Sequence, residues 1–313
     1  MLMAGAAAGV LFAALSAGLA RAGLAFTVTH DGNHGSFDAS SRPNQLAGHV
    51  LDLLGMSSWL WRWKHNVLHH PNPNIWEFDD DVDASPFLRL HPEQDWQFLH
   101  RWQHLYAWPL YCLMTARWTL YSDFKELFVG RIGSLALPAM APIDVAVFWL
   151  GKLQYFGWAL VAPAIVLGLE SGLLFYVVLE CTGGLVAAVA FQLAHSVEQA
   201  AHLSAEEAAE LGWVQQQLSS TVDFEISSSP VQWYLGGLNH QVVHHLFPGI
   251  SHVHYPWIAE VVRDEAMRAG LPYKKGRSLL SQLRSHARFL RTMGQRPPEV
   301  GIDVPSAVET AAA

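Results

Sequence analysis

Three long apolar blocks do most to limit what this chain can fold into. Met1–Val28 carries one charge, Arg21; Val145–Leu169 carries only Lys152; Gly172–Ala194 carries only Glu180. Each runs to about 23–28 residues, at or above the roughly 20 that cross a bilayer as a helix. Buried helices of a large soluble protein are the alternative, but three blocks of this length disfavour it. Trp149 and Tyr155, near the start of the second block, suit a membrane interface. Composition agrees: 15% of residues are charged, against roughly 25% in soluble domains. The fold class expected is an all-α integral membrane protein.

The first block lacks a basic leader and a cleavage-like break, so it reads as a retained helix rather than a signal peptide. Cys112 and Cys181 are the only cysteines, which argues against a disulfide framework or a thiolate metal site. A net charge of −8 argues against a nucleic-acid partner.

In chain order, a first helix is expected to end near Val28 and deliver His30 and His34 just beyond the membrane face. Residues 46–70 read as a surface helix whose Trp59, Trp61 and Trp63 suit the headgroup zone; Pro71 and Pro73 end it. The acidic run Glu77–Asp83 reads as a solvated loop, and Leu105–Tyr121 as an interfacial helix interrupted by Pro109 and Arg117. The second and third blocks make a hairpin turning at Glu170-Ser171, which returns His195 to the side of the earlier histidines. That side is rich in Lys and Arg and the hairpin loop has none, so the positive-inside rule makes it cytoplasmic. Glu206–Gln217 reads as helical, Trp233–His254 as a further histidine-bearing stretch, and residues 291–313 as a disordered tail. The expected organisation is a single unit over 1–290. Its spans are about 1–28, 145–169 and 172–194, and its cytoplasmic helical cap covers about 30–144 and 195–290. Three crossings are an odd total, so either the protein has three spans or a further helix stands ahead of Met1, and the latter is expected.

The chemistry lies in the histidines. His30 and His34, then His65, His69 and His70, then Gln241 with His244 and His245, form three boxes. Histidines four apart on a helix share a face. His195 ends a membrane helix and makes an eighth candidate ligand. Gln241 reads as a weak or water-mediated ligand, and His240 and Asn239 as neighbours of the third box. The other histidines, including His49, His91, His100, His104, His202 and His286, read as ordinary core or surface residues. Catalytic zinc takes three protein ligands and structural zinc four, so eight histidines overfill one zinc. Two irons with mostly nitrogen ligands and open positions for O2 fit the count. Soluble di-iron proteins use Glu-x-x-His pairs, and this sequence contains none. A di-iron site at a membrane face points to oxidation of an unactivated C–H bond in a lipid chain, with the metal supplying the hard chemistry and the protein the positioning.

These boxes resemble those of the membrane fatty acyl desaturases, in particular the bacterial acyl-CoA and acyl-lipid branch related to linoleoyl-CoA and front-end desaturases. The resemblance runs from His30 to about Val262. It includes Lys64–His70, Pro86-Phe87-Leu88-Arg89, Gln103–Trp108, Gln192-Leu193-Ala194-His195, Gly236-Gly237-Leu238-Asn239 and His252-Val253-His254-Tyr255-Pro256. Gln241 in place of a first histidine is typical of front-end members. The resemblance implies four membrane helices under a cytoplasmic cap, a kinked acyl tunnel, and two iron ions bound by the box histidines and His195. The substrate is then a fatty acyl chain on CoA, acyl carrier protein or a lipid, with O2 as co-substrate and membrane lipid as surroundings. No His-Pro-Gly-Gly haem motif occurs in this sequence, so a separate electron donor, ferredoxin or cytochrome b5, is expected. Pro71-Asn72-Pro73-Asn74, His240, Val243 and Gln199–His202 depart from the family pattern near the site. They leave open an acetylenase or hydroxylase outcome on the same irons.

Overall fold

The computed structural model describes residues 2–298, with side chains from residue 7 onward. Helix α1 (Leu2–Leu24) does not stop near Val28. It passes through a π-helical turn, Ala25–Thr29, and continues over His30–His34. The first-box histidines therefore stand on the last turns of the membrane helix, not beyond it. Gly32 lies between them where α1 meets the next helix; a Cβ there would come 2.4 Å from the Gly48 nitrogen, so only glycine allows the approach.

Two helical pieces joined by a non-helical turn replace the single helix expected over 46–70. Helix α2 (Ser41–Leu53) runs into a reversal at 54–57, and α3 (Ser58–Arg62) leads back into a π-helical stretch, Trp63–His69. The end carbonyls of a helix lack intrahelical donors, and here charged side chains from the spans supply them. Arg21 Nε donates to Leu54 O at 2.9 Å, and Lys152 Nζ to Gly55 O at 2.7 Å. The single charges of the first two apolar blocks thus hold the turn beneath the second histidine box.

Helix α4 (Gln103–Tyr111) begins a broken helical run that continues through Met114–Arg117, Trp118–Ser122 and Asp123–Val129. It is longer and more interrupted than the interfacial helix expected. Helix α5 (Pro142–Leu167) and α6 (Leu169–His195) form the hairpin. It turns at Gly168, whose φ of 87° and ψ of 156° suit only glycine. Glu170 and Ser171 fall instead in the first turn of α6.

Beyond α6, the helix expected over 206–217 is two pieces, Ala205–Ala209 and α7 (Trp213–Ser220). Helices α8 (Gln241–Leu246), α9 (Tyr255–Arg268) and α10 (Leu279–Met293) complete the cap. Asp223–Phe224 pairs in parallel with Lys275–Gly276, and Arg131–Ile132 antiparallel with Leu135–Ala136. Residues 291–294 do not belong to the disordered tail expected there, since α10 is helical through Met293 and Trp96 Nε1 donates to Gly294 O at 2.8 Å; residues 299–313 lie outside the described part.

Three helices among the described residues are long and apolar enough to cross a membrane: Ala7–His34, Pro142–Leu167 and Leu169–His195. Their outer faces expose Phe12, Leu150, Leu153, Ile165 and Val166, as lipid-facing helices do. Where α1 meets α6 the contact is small and apolar, with Ala22, Phe26, Ala187 and Ala190 in one cluster. Within it sits a buried ion pair, Arg21 Nη1 to Glu180 Oε2 at 2.7 Å. Thr119 Oγ1 accepts from Arg21, while Thr115 Oγ1 and the Tyr155 hydroxyl donate to Glu180.

Candidate metal centre

The three boxes converge at the cap ends of α1 and α6. Ring nitrogens of His30, His34, His65 and His244 lie within 4.8 Å of one another, and so do those of His69, His195 and His245. His70 groups with His244 and His245 and joins the two sets: its ring centroid is 4.7 Å from that of His34 and 4.4 Å from that of His245. All eight histidines singled out in the sequence therefore meet in one place.

Local helix geometry explains the second box. In a regular α-helix His65 faces His69. The π-helical turn adds a residue, so the His70 amide bonds His65 O at 2.9 Å and the two Nε2 atoms face each other at 3.1 Å. His69 still stacks on His65 at 5.2 Å between centroids. One turn thus aims three imidazoles at the pocket, where an α-helix would aim two.

Support comes from residues outside the boxes. His69 Nδ1 donates to Asp79 Oδ2 at 3.0 Å, His245 Nδ1 donates to Gln217 Oε1 at 3.0 Å, and His244 Nδ1 pairs with the Tyr255 hydroxyl at 3.1 Å. Such partners leave the other ring nitrogen, Nε2, facing the pocket. Asn74 Nδ2 donates to the carbonyls of His195, Ala201 and Ser220, tying the end of α6 to the cap. Asp31, beside the first box, accepts from Ser251 Oγ at 2.7 Å and pairs with His252.

Sequence reasoning missed Asp79, Gln217 and Tyr255. Asp79 lay in the acidic run read as solvated, yet it is 2% exposed. Its signal was the adjacency of that run to the second box. Gln241 Nε2 lies 3.0 Å from His195 Nε2, next to the second metal group. His240 instead pairs with Gln232, and Asn239 donates to Phe224 O, so both belong to the framework. His49, His100 and His286 are bonded to Asp52, Pro86 O and Ser196 O respectively, well accounted for as structural groups.

The pocket offers several ring nitrogens that could bind a cation. His30 Nδ1 and Nε2, His34 Nε2, His195 Nδ1, His244 Nε2 and His245 Nε2 are buried with no hydrogen-bond partner. Each unsatisfied buried polar atom costs about 1–3 kcal/mol, so a bound cation here would be favoured. Burial, reinforced by neighbouring imidazoles, pushes the pKa values of His65, His70, His244 and His245 well below the ordinary range. They are neutral at neutral pH, the state in which imidazole binds metal. Burial works against the His69 cation too, but Asp79 and Asp81 outweigh it and raise its pKa.

A polyhistidine pocket at the mouth of bilayer-length helices is a donor set that could hold metal ions in a membrane protein. A profile of the family described as fatty acid desaturase matches residues 4–277, and the chain belongs to that family. It is 32% identical over 281 residues to the sn-1 linoleoyl-lipid 6-desaturase of Synechocystis sp., covering 88% of this chain and 78% of that protein. The protein of the same name from Arthrospira platensis is 32% identical, with 89% and 76% covered. The acyl-lipid (8-3)-desaturase of Physcomitrium patens is 35% identical over 91% of this chain and 60% of its own length. The chain is an oxidoreductase that desaturates fatty acyl chains with O2.

Proposed function

We propose that residues 1–290 act as one catalytic unit holding two iron ions. His30, His34, His65 and His244 hold one, His69, His195 and His245 hold the other, and His70 stands between them. Gln241, bonded directly to His195, serves as a weak or water-mediated ligand. The observation that carries this reading is the set of partnerless buried ring nitrogens shared between two groups. The metals supply activation of O2 for removal of two hydrogens from adjacent methylenes. The chain's own residues do the rest: Asp79, Gln217 and Tyr255 hold the imidazoles in one tautomer, and the apolar walls beneath His30 exclude water and align the acyl chain.

The relatives named as acyl-lipid desaturases support a lipid-linked acyl substrate and a front-end mode of action. Electrons come from a separate small donor such as ferredoxin or cytochrome b5. The bias of Lys and Arg supports a cytoplasmic site. Elemental analysis of the detergent-purified protein tests the reading and should find about two irons per chain. Expression beside a supplied lipid should yield a product two hydrogens lighter. A product one oxygen heavier would make the chain a hydroxylase. One zinc and no iron after growth in iron-rich medium would refute the di-iron reading.

A further inference from the structure

Between Glu225 and Glu260 the chain carries no Asp, Glu, Lys or Arg, although 15% of all residues are charged. The third box lies in this uncharged stretch. Its helices Ser229–Tyr234 and Gln241–Leu246 have six residues each, far short of the roughly 20 that cross a bilayer. Burial accounts for one side of the stretch, where Leu235, Leu238, Val242 and Val243 are buried. The outer side is apolar as well. Trp233 and Trp257 are each 71% exposed, Val253 64% and Val261 46%. Val253, Trp257 and Val261 stand four apart, so they form one stripe along the entry and first turns of α9.

The position of this surface relative to the spans decides what covers it. Tyr234 lies against α1: its hydroxyl donates to Leu19 O at 2.7 Å, and a Cβ on Gly23 would come 2.8 Å from its ring. A Cβ on Gly236 would collide with the Phe26 carbonyl, and Gly237 in turn packs on His252 and Tyr255, which brings the start of α9 alongside. The span Ala7–His34 has 28 residues, about 42 Å of helix at 1.5 Å per residue. That exceeds the roughly 30 Å hydrocarbon layer by about 12 Å. Even with all of the excess on the cap side, the layer begins no more than about 12 Å from His34. Phe26 is about 12 Å along the helix from His34, and Leu19 about 22 Å. Gly236 therefore stands at the hydrocarbon boundary, and the Tyr234 hydroxyl reaches inside it.

We propose that residues 229–261 are an interfacial membrane element, with Trp233 and the Val253–Trp257–Val261 stripe inserted among the lipids of the cap-side leaflet. Tryptophan is the residue that favours this zone. Exposed His254 and Glu260 flank the stripe, so it lies at the headgroup boundary and not deep in the core. A soluble partner could not reach a surface pinned to α1 at this depth; lipid can. The third box is thus flanked by the bilayer on this side and not by the cytosol, whatever reaction the histidines support.

The test uses the full chain in lipid nanodiscs, with spin labels at Trp233→Cys and Trp257→Cys in a Cys112→Ala/Cys181→Ala background. Relaxation by O2, which concentrates in lipid, is compared with relaxation by a water-soluble nickel chelate, with the exposed cap site Glu210→Cys as reference. Both labels should respond more to O2 than to nickel, the reverse of the reference. Labels relaxed mainly by nickel would put the surface in water. Labels shielded from both agents would mean that protein, such as a second copy of the chain, covers it. Either result overturns the proposal. A second measurement leaves the cysteines in place. In vesicles of phosphatidylcholine brominated near the headgroup end of its acyl chains, Trp233→Phe and Trp257→Phe should each lose a smaller fraction of fluorescence than wild type, because each removes a lipid-facing emitter. An equal or larger quenched fraction in both variants would also overturn it. Neither readout depends on iron or turnover, so failure here leaves the desaturase reading untouched, and the reverse holds too.

Discussion

Glu180 offers a sharp test of how the membrane part is held together. It is 3% exposed and Arg21 is 2% exposed, so their 2.7 Å ion pair is out of reach of water. Glu180→Leu keeps the volume and removes every acceptor the carboxylate offers. Arg21 then keeps only Leu54 O and Thr119 Oγ1, with its charge uncompensated. Removing one partner of a buried pair costs about 3–5 kcal/mol. Tyr155 loses the acceptor of its hydroxyl, while Thr115 can still donate to Glu180 O at 3.1 Å. The sum is about 5 kcal/mol, a large share of the roughly 5–15 kcal/mol that holds a domain folded. At about 2–4 °C per kcal/mol, the melting temperature of the detergent-purified protein, followed by loss of the monodisperse peak, should fall by roughly 10–20 °C. The double variant Arg21→Met/Glu180→Leu removes both charges together and should recover about half of that loss, with the unpaired Leu54 carbonyl and Tyr155 hydroxyl accounting for the remainder. A single variant as stable as wild type, or a double variant less stable than the single, would refute the reasoning.

Further outcomes follow from the cap. His69→Ala or His244→Ala should abolish desaturation and reduce bound iron, read by elemental analysis. His286 is fully buried between the Tyr111 hydroxyl and Ser196 O, so His286→Ala should lower thermal stability by about 2 kcal/mol yet leave iron content unchanged. Burial pushes the Asp223 carboxyl up to about 6, against the opposing bonds from Tyr273 and Val242. A raised carboxyl pKa means the folded state holds the proton more tightly than the unfolded one, so this group's contribution is lost as pH rises from about 4 to 6. Asp223→Asn should therefore gain stability relative to wild type across that window, by up to about 2–3 kcal/mol, since each tenfold change in proton affinity is worth about 1.4 kcal/mol. A gap that stays constant from pH 4 to 7 would contradict this. Asp79→Asn should weaken iron retention about tenfold or more by releasing the His69 ring, measured as iron lost to a chelator over time.

What the sequence disclosed and what it hid divide along the distance over which each contact acts. The clustered histidines were legible because their spacing is local: three boxes and the end of one span declare themselves in short windows. Asp79, Gln217 and Tyr255 were not legible, because each is ordinary until a distant imidazole arrives beside it. The same logic explains Arg21 and Lys152. Each read as a lone charge tolerated in an apolar block, whereas the fold uses them to seal the carbonyls of a turn 33 and 97 residues away. The second box makes the point most sharply. His65-x-x-x-His69-His70 implies one helical face, and an α-helix would leave His70 pointing elsewhere. The π-helical register that turns it back onto His65 costs backbone hydrogen-bond quality, and it persists only where the surroundings over-determine it. Here the surroundings are the five clustered histidines outside the box, so the local geometry of the box is a product of the site it helps to build. A variant that restores α-helical register in this stretch, for instance by deleting Val67, should therefore lose metal while its secondary structure content rises or stays level.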